Sequence, residues 1–537
     1  MKGKLHSKFA FLFIGLLLIV GLVGCSNSST EKTNEQTGDE KASSEPKTGG
    51  TLKVAFASEP DTVDMMYNGA SATRDVGWHI FEYLFALDSN FEIRPMIAEG
   101  YEVNDDKTVY TITLREGVNF HNGSTVTSKD VVASINRWIG ISSVGKVAGE
   151  NIEQVTAIDD STVEIKLTKP YNVLLSSMSA PKAGLQIIPA DIAAAAGENP
   201  LTPEQLIGTG PYKFEKWEKG QEILLTRFEE YSAREEADWG GLTGKKVAYY
   251  DEIQFLIVKD PQVMLNGLKT GLYDYAQSIP ADLNDVVETT PGVDPVTYMN
   301  GYSTITFDKS EAPFNDIKLR QAINYALDKE TIAEATYGNK NFYNMDGALF
   351  DPQQVELYSE EGTDQYLVYD KEKAKSLVEE SSYNGETITI MYANNYENYK
   401  RISQVVKQQL EEVGFKIELV PYEWATYLEK WQDPANWDLV VIGWSTRFAP
   451  SELGMLAFGT ASSGWYESER WASLLDRWGN AGEGNEKKEI LTEMNQTVYE
   501  ELPFTKIANE TLLDIKVESM EYEGWVGPRF WNSWKSE

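Results

Sequence analysis

Residues Trp444 to Phe448 read Trp-Ser-Thr-Arg-Phe, which sets two aromatic rings, two hydroxyls and one permanent cation side by side. A guanidinium such as that of Arg447 forks two hydrogen bonds onto a carboxylate or phosphate. Trp444 and Phe448 offer faces for stacking, and Ser445 and Thr446 offer hydroxyls that donate or accept. This is the place in the chain where a ligand is looked for first. The structural alternative for Arg447 is an ion pair with one of the 83 Asp and Glu residues in the chain.

Other chemistry is poorly supplied. The three histidines, His6, His79 and His121, have no metal-ligand spacing, so a zinc site or a His-dependent nucleophile is not expected, and no cofactor is called for. Gly208-Thr209-Gly210-Pro211 is a turn before a strand rather than a phosphate loop, because no Lys-Ser/Thr and helix follow it. His121-Asn122-Gly123 reads as a turn with a structural imidazole. No G-x-S-x-G motif sits at a strand-helix junction. The formal net charge of −35 repels a phosphate backbone and argues against nucleic-acid binding.

The loop needs a scaffold, and the periodicity supplies one. Leu439 to Ile442 is an apolar, β-branched run of strand length, expected to stop at Gly443. Upstream, Ile388, Ile390 and Tyr392 alternate as a strand. Tyr399 to Val413 follows as a helix burying Ile402, Val405, Val406 and Leu410, with Gly414 as its stop. Phe415, Ile417 and Leu419 alternate as a strand expected to end at Pro421, and Trp424 to Trp431 is a second helix. This β-α-β-α-β run predicts right-handed crossovers and a mainly parallel sheet. Ligands of open α/β sheets sit beyond the carboxyl ends of the strands, which is where Gly443 to Phe448 falls.

Earlier in the chain, Thr51 to Ala57 reads as a strand and Gly77 to Phe85 as a short helix. Asn104-Asp105-Asp106 is a tight turn before a hairpin strand, Val109 to Leu114. Thr127 to Asp130 opens a helix whose Val131, Ile135 and Trp138 share a face, and Asn315 or Asp316 caps another that buries Leu319, Ile323, Ala326 and Leu327. A helix from about Glu486 leads to Pro503, followed by a short apolar stretch.

At the N-terminus, Lys2, Lys4 and Lys8 precede an apolar run from Phe9 to Val20, the order of a secretory signal. Leu22-Val23-Gly24-Cys25 resembles a bacterial lipobox. The resemblance implies a signal peptide over residues 1–24 and lipidation of Cys25, the only cysteine in the chain. Residues 25–50, the lipidated Cys25 and the Ser/Thr/Glu/Lys-rich stretch after it, are expected to be a disordered tether. The mature protein is then extracytoplasmic, lipid-anchored at the cell surface or periplasmic face.

The stretch from Ile97 to Trp138 closely resembles the signature of family 5 extracellular solute-binding proteins of bacterial ABC importers, which include peptide- and nickel-binding proteins. Further blocks continue in that family's order: Gly208 to Tyr212 with Phe214 and Trp217, Ile253 to Val258, Phe314 to Asp328, and Tyr369-Asp370-Lys371 with Ala374 and Leu377. The resemblance spans essentially Thr51 to the C-terminus. It implies an α/β, periplasmic-binding-protein-like fold (type II, cluster C), with two lobes, an extra domain and an interlobe cleft. By analogy, domain I is 51–87, 208–296 and 503–537, the domain II insert is 88–207, and domain III is 297–502.

In peptide-binding members an Asp after the Gly-Trp pair takes the ligand's α-ammonium group; here Arg447 stands at that place, which argues against a free peptide N-terminus there. Asn300, Tyr302, Met66 and Tyr67 fall where family segments approach the cleft. The implied function is a non-enzymatic, monomeric receptor delivering a peptide or carboxylate-bearing solute to ABC permease and ATPase subunits. An oligosaccharide receptor is the alternative, since Trp and Tyr faces stack on sugar rings. A secreted hydrolase with paired carboxylates, or a surface chaperone, adhesin or signal receptor, represents the other classes.

Overall fold

The computed structural model describes residues 46–482 and 484–536; the expected signal peptide, Cys25 and all but the last residues of the expected tether lie outside them. Strand β1 (Thr51–Phe56) is followed by helix α1 (Ser71–Ile80). This helix starts and ends earlier than the expected Gly77–Phe85. Its buried face carries Thr73, Arg74, Asp75 and His79, so hydropathy hides it. Gly77 lies inside it because a Cβ there would fall 2.7 Å from Met65 Cγ.

Strands β2 (Ala98–Val103) and β3 (Val109–Leu114), helices α2 (Ser128–Ile141) and α3 (Ser143–Gly149), and strands β4 (Ile152–Ala157) and β5 (Thr162–Leu167) form a four-stranded antiparallel sheet covered by helices, in the order β2-β3-β5-β4. Asn104 Oδ1 closes the β2–β3 turn by accepting from the Thr108 and Val109 amides at 2.8 and 2.9 Å. Thr127 and Asp130 form the expected capping box at the start of α2, satisfying amides the helix leaves open. Val131, Ile135 and Trp138 are fully buried in the core of this unit.

A large sheet takes most of the rest; Phe85–Leu87 with Ile93–Pro95 and Met520–Glu521 with Trp534–Lys535 form two small sheets, and the two-residue strand Tyr343–Asn344 joins the large sheet off its main path. Its strands are β6 (Tyr212–Glu218), β7 (Glu222–Arg227), β8 (Glu252–Ile257), β9 (Tyr275–Ile279), β10 (Val293–Phe307), β11 (Thr387–Ala393), β12 (Lys416–Tyr422), β13 (Leu439–Trp444) and β14 (Phe504–Val517), together with β1. The order is β12-β11-β13-β10-β14-β9-β1-β8-β7-β6. One lobe is built on β12, β11 and β13, which pair in parallel as the periodicity predicted. Helix α4 (Ile317–Ala326) is capped by Asp316, which accepts from the Lys318 amide at 2.9 Å. Helices α5 (Glu397–Glu412), α6 (Trp424–Trp431), α7 (Glu469–Asn480) and α8 (Asn485–Glu501) complete this lobe. The other lobe is built on β1, β6, β7, β8 and β9.

Two boundaries differ from expectation. β12 runs through Pro421, which an edge strand tolerates because no ladder bond is asked of its missing N–H. β13 continues through Gly443 and Trp444, which pair with Ser303 and Tyr302 of β10, so the loop begins at Ser445.

The lobes are joined by β10 and β14, antiparallel partners along almost their whole length. The stretch after Pro503 is thus a long strand, not the short apolar segment expected. Lys506, Asn509, Glu510 and Asp514 are all buried within it and break its apolar pattern.

Candidate functional site

The carboxyl ends of β11, β12 and β13 open on one cavity of about 700 Å³ between the lobes. A cavity of that size suits a drug-sized solute. After β11 the chain turns into α5, bringing Tyr396 and Tyr399 to the wall; after β12 it turns into α6, bringing Trp424, Leu428 and Trp431. The Tyr396 ring stands against Tyr399 at 5.0 Å and edge-on to Trp424 at 5.2 Å, and Tyr396 and Leu428 remain exposed. The opposing wall is the start of α1, helix α3, Tyr171, Ser177, Lys182 and Ala183.

The loop after β13 forms the cavity's charged end. Trp444, Ser445, Thr446, Arg447 and Phe448 all line it, as does Asn300, whose backbone carbonyl accepts from the Thr446 amide at 3.0 Å. Gly301 permits that approach: at φ 95° its missing Cβ would fall 1.9 Å from the Trp444 carbonyl oxygen. Trp444 is anchored rather than free, donating from Nε1 to Thr304 Oγ1 at 2.9 Å and standing edge-on to Trp431. Phe448 is anchored as well. Its ring joins the core of the opposite lobe, stacked on Phe91.

Tyr302 lies beneath the loop, lining a small recess with its ring 4.3 Å from the Lys506 ammonium. Met66 is buried in the core of the four-stranded unit and Tyr67 is half exposed; neither lines the cavity. The expected nine residues therefore divide. Six meet at the cavity, one lies behind the loop and two lie elsewhere.

Four charged side chains line the cavity: Lys182, Arg447, Glu452 and Glu510. Glu510, on β14, is well supplied with donors: Tyr337 Oη at 2.7 Å, Asn398 Nδ2 at 3.4 Å, Asn300 Nδ2 at 3.5 Å, and the Ser303 hydroxyl. Glu452 Oε2 accepts from the Phe448 amide at 3.1 Å, and burial pushes its carboxyl up. Burial and the neighbouring Arg74 and Arg447 charges press the Lys182 ammonium well below the usual lysine range. Three buried polar atoms of the loop, Thr446 Oγ1, Arg447 Nε and Glu452 Oε1, have no hydrogen-bond partner. Among the described residues the Arg447 guanidinium has no carboxylate within ion-pair distance, although its charge acts on the Glu452 carboxyl in the same loop. Most buried polar groups are paired, and each exception calls for a physical explanation, such as a bound water or ligand.

Sequence reasoning missed Tyr396, Tyr399, Trp424, Lys182, Glu452 and Glu510. The rule that singled out the loop after β13 finds Tyr396, Tyr399 and Trp424 as well, once applied to the ends of β11 and β12. Lys182 and the β14 residue Glu510 carry no such signal, since only tertiary contacts bring them there.

The arrangement is that of a two-lobed binding protein with a cavity between the lobes. The chain belongs to the bacterial extracellular solute-binding proteins of family 5, whose profile matches residues 92–465. It is 30% identical over 441 residues to a probable peptide ABC transporter periplasmic-binding protein, y4tO, of Sinorhizobium fredii, covering 79% of this chain and 82% of that one. It is 24% identical over 531 residues to the oligopeptide-binding protein AppA of Bacillus subtilis, covering 93% of each. The structure of AppA in complex with a nonapeptide superposes with a TM-score of 0.74 at 22% identity, covering 92% of this chain and all of that one. AgaA of A. tumefaciens R10 in complex with agropinic acid superposes with a TM-score of 0.72 at 24% identity, covering 88% and 94%. Among the described residues no helix is long and apolar enough to cross a membrane.

Proposed function

We propose that this protein is the receptor of an ABC importer and captures a peptide-like solute carrying a carboxylate. The observation that carries the reading is Arg447: a half-buried guanidinium facing the interlobe cavity, with Nε unpartnered and no ion pair among the described residues. A carboxylate fork-bonded to it satisfies a cation that otherwise remains desolvated without compensation. Ser445, Thr446 and Asn300 then supply hydrogen bonds, and Tyr396, Trp424 and Leu428 receive the apolar body of the solute. The names of the relatives, given for peptide transport and oligopeptide binding, support this class of cargo.

The protein performs no chemistry on its cargo. It acts as a monomer, held to the membrane by lipid on Cys25, and hands solute to permease and ATPase subunits after the lobes close. The division into domain I (51–87, 208–296, 503–537), domain II (88–207) and domain III (297–502) is supported in outline by three buried clusters, with Ile188 to Leu206 packing in the cluster of domain I and Phe504 to Ala508 in that of domain III. Native mass spectrometry of protein purified from its host provides the test. A co-purifying carboxylic acid that Arg447→Gln fails to retain supports the reading. A bound compound without an acidic group, or retention unchanged by Arg447→Gln, overturns it.

A further inference from the structure

Arg447 lines two hollows, the interlobe cavity and the small recess beneath the loop. Three buried polar atoms without a hydrogen-bond partner belong to residues that line this recess: Thr446 Oγ1, Arg447 Nε and Asn509 Nδ2. Asn509 is only 5% exposed and sits on β14, paired with Tyr302 of β10. Nε and Nδ2 can only donate, whereas the Thr446 hydroxyl donates or accepts. Two buried donors on the wall of one hollow, with no acceptor from the chain, call for an acceptor inside it.

The recess has a volume of about 10 Å³, the room of a single water molecule. Chloride is larger than water, and Asp351, which lines the same recess, disfavours an anion there. We propose that one buried water molecule occupies the recess, accepts from Arg447 Nε and Asn509 Nδ2, donates to Thr446 Oγ1, and so fixes the direction of the guanidinium. Three hydrogen bonds are the usual complement of a buried water. Thr446 keeps its own hydroxyl hydrogen for the cavity side. Gln354 steadies the backbone at the same place, donating from Nε2 to the Arg447 carbonyl at 2.7 Å.

A guanidinium offers a carboxylate either its two terminal nitrogens or Nε with one of them. With Nε taken by the water, the cargo meets the terminal nitrogens alone. That consequence rests on the reading of Arg447 as the carboxylate's partner; the water site does not. Asn509 is then a positioning residue, tying the cavity's cation to a strand that crosses between the lobes.

A high-resolution crystal structure, from crystals grown in sodium bromide, tests the site without any cargo. The expected result is one density peak about 2.7–3.2 Å from all three atoms, with no anomalous bromide signal. A recess without a peak, or one holding bromide, overturns the water. Free di- and tripeptides and their C-terminal amides, titrated against wild type and Asn509→Leu, test the positioning. Wild type is expected to prefer the free acids by about tenfold or more, as charged pairs do when one partner is removed. Leucine has the shape of asparagine without its donor, so Asn509→Leu is expected to narrow that preference by roughly threefold or more while binding amides as before. A variant that keeps the full preference, or loses acids and amides alike, overturns the role of Asn509. Wild-type protein that binds neither set, or both equally, overturns the carboxylate reading of Arg447 and the positioning role with it. The crystal structure needs no variant, so it decides the water even where Asn509→Leu fails to fold.

Discussion

The ring of Phe448 stacks on the ring of Phe91 with centroids 5.8 Å apart and planes 25° from parallel. Phe91 stacks in turn on Trp525 at 5.3 Å. The residue next to the cavity cation is thus a clasp between lobes: Phe448 follows β13 in one lobe and is buried in the core cluster of the other. Phe91 holds this position at φ 66°, which costs a bulky residue backbone energy and persists only where the surroundings enforce it.

Phe448→Ala is therefore expected to weaken solute binding by roughly 10- to 100-fold, since a stacked pair and its buried area favour only the closed form. Small-angle scattering checks the mechanism: the variant gains less compactness on binding than wild type. Closure and affinity equal to wild type refute the clasp.

Gly301→Ala forces a Cβ onto the Trp444 carbonyl at a backbone angle that L-residues avoid. Backbone strain alone costs about 1–3 kcal/mol, and the clash adds to it. Gly140→Ala is the control, because a Cβ there meets nothing within 4 Å and a helix favours Ala over Gly. Urea denaturation is expected to show clear loss for the first and no loss for the second.

Acid stability depends on two buried imidazoles. His79 is fully buried and accepts from the Phe530 amide at 3.0 Å through Nε2; burial holds it down at about 3. His121 accepts from the Gly208 amide through Nδ1 and meets the Gly210 carbonyl through Nε2, and burial holds it down at about 4. A depressed folded value means the unfolded chain takes protons first, so stability present above about 6.5 is lost as pH falls towards these values. By pH 5 each ring is expected to cost about 2 kcal/mol. Asp514, which burial pushes up to about 7, has the opposite slope, so the comparison is with His79→Gln. The stability gap between variant and wild type is expected to narrow by about 2 kcal/mol between pH 7.5 and pH 5; a constant gap refutes the assignment.

Lipid anchoring is tested at its single residue. Cys25→Ala is expected to release protein into the medium, measured by fractionation and immunoblotting; a variant that stays with the membrane at the wild-type level refutes the anchor.

Sequence alone revealed the parallel half of the sheet because its strands and helices bury clean apolar stripes, as in Ile402, Val406 and Leu410 of α5. It failed where polar groups are buried in partnership. Arg74 and Asp75 pair inside α1, Asp514 accepts from Tyr275 Oη at 2.6 Å, and Lys506 lies under the cavity loop, so neither α1 nor β14 shows an amphipathic pattern. The same cause hid half of the site. Arg447 stood out as a cation in a loop, but Glu452 and Lys182 gain meaning only from a cavity that three separated segments create.

The placement of β14 has a consequence for how the chain folds. Among the described residues it is the only strand hydrogen-bonded both to β9 and to β10, so it stitches the two halves of the large sheet together. Without it, the half-sheet ending at β9 presents an open edge, and the half ending at β10 presents another. A chain in which β14 has not docked thus stays unfinished at its centre, with two sheet edges open to pairing with another chain.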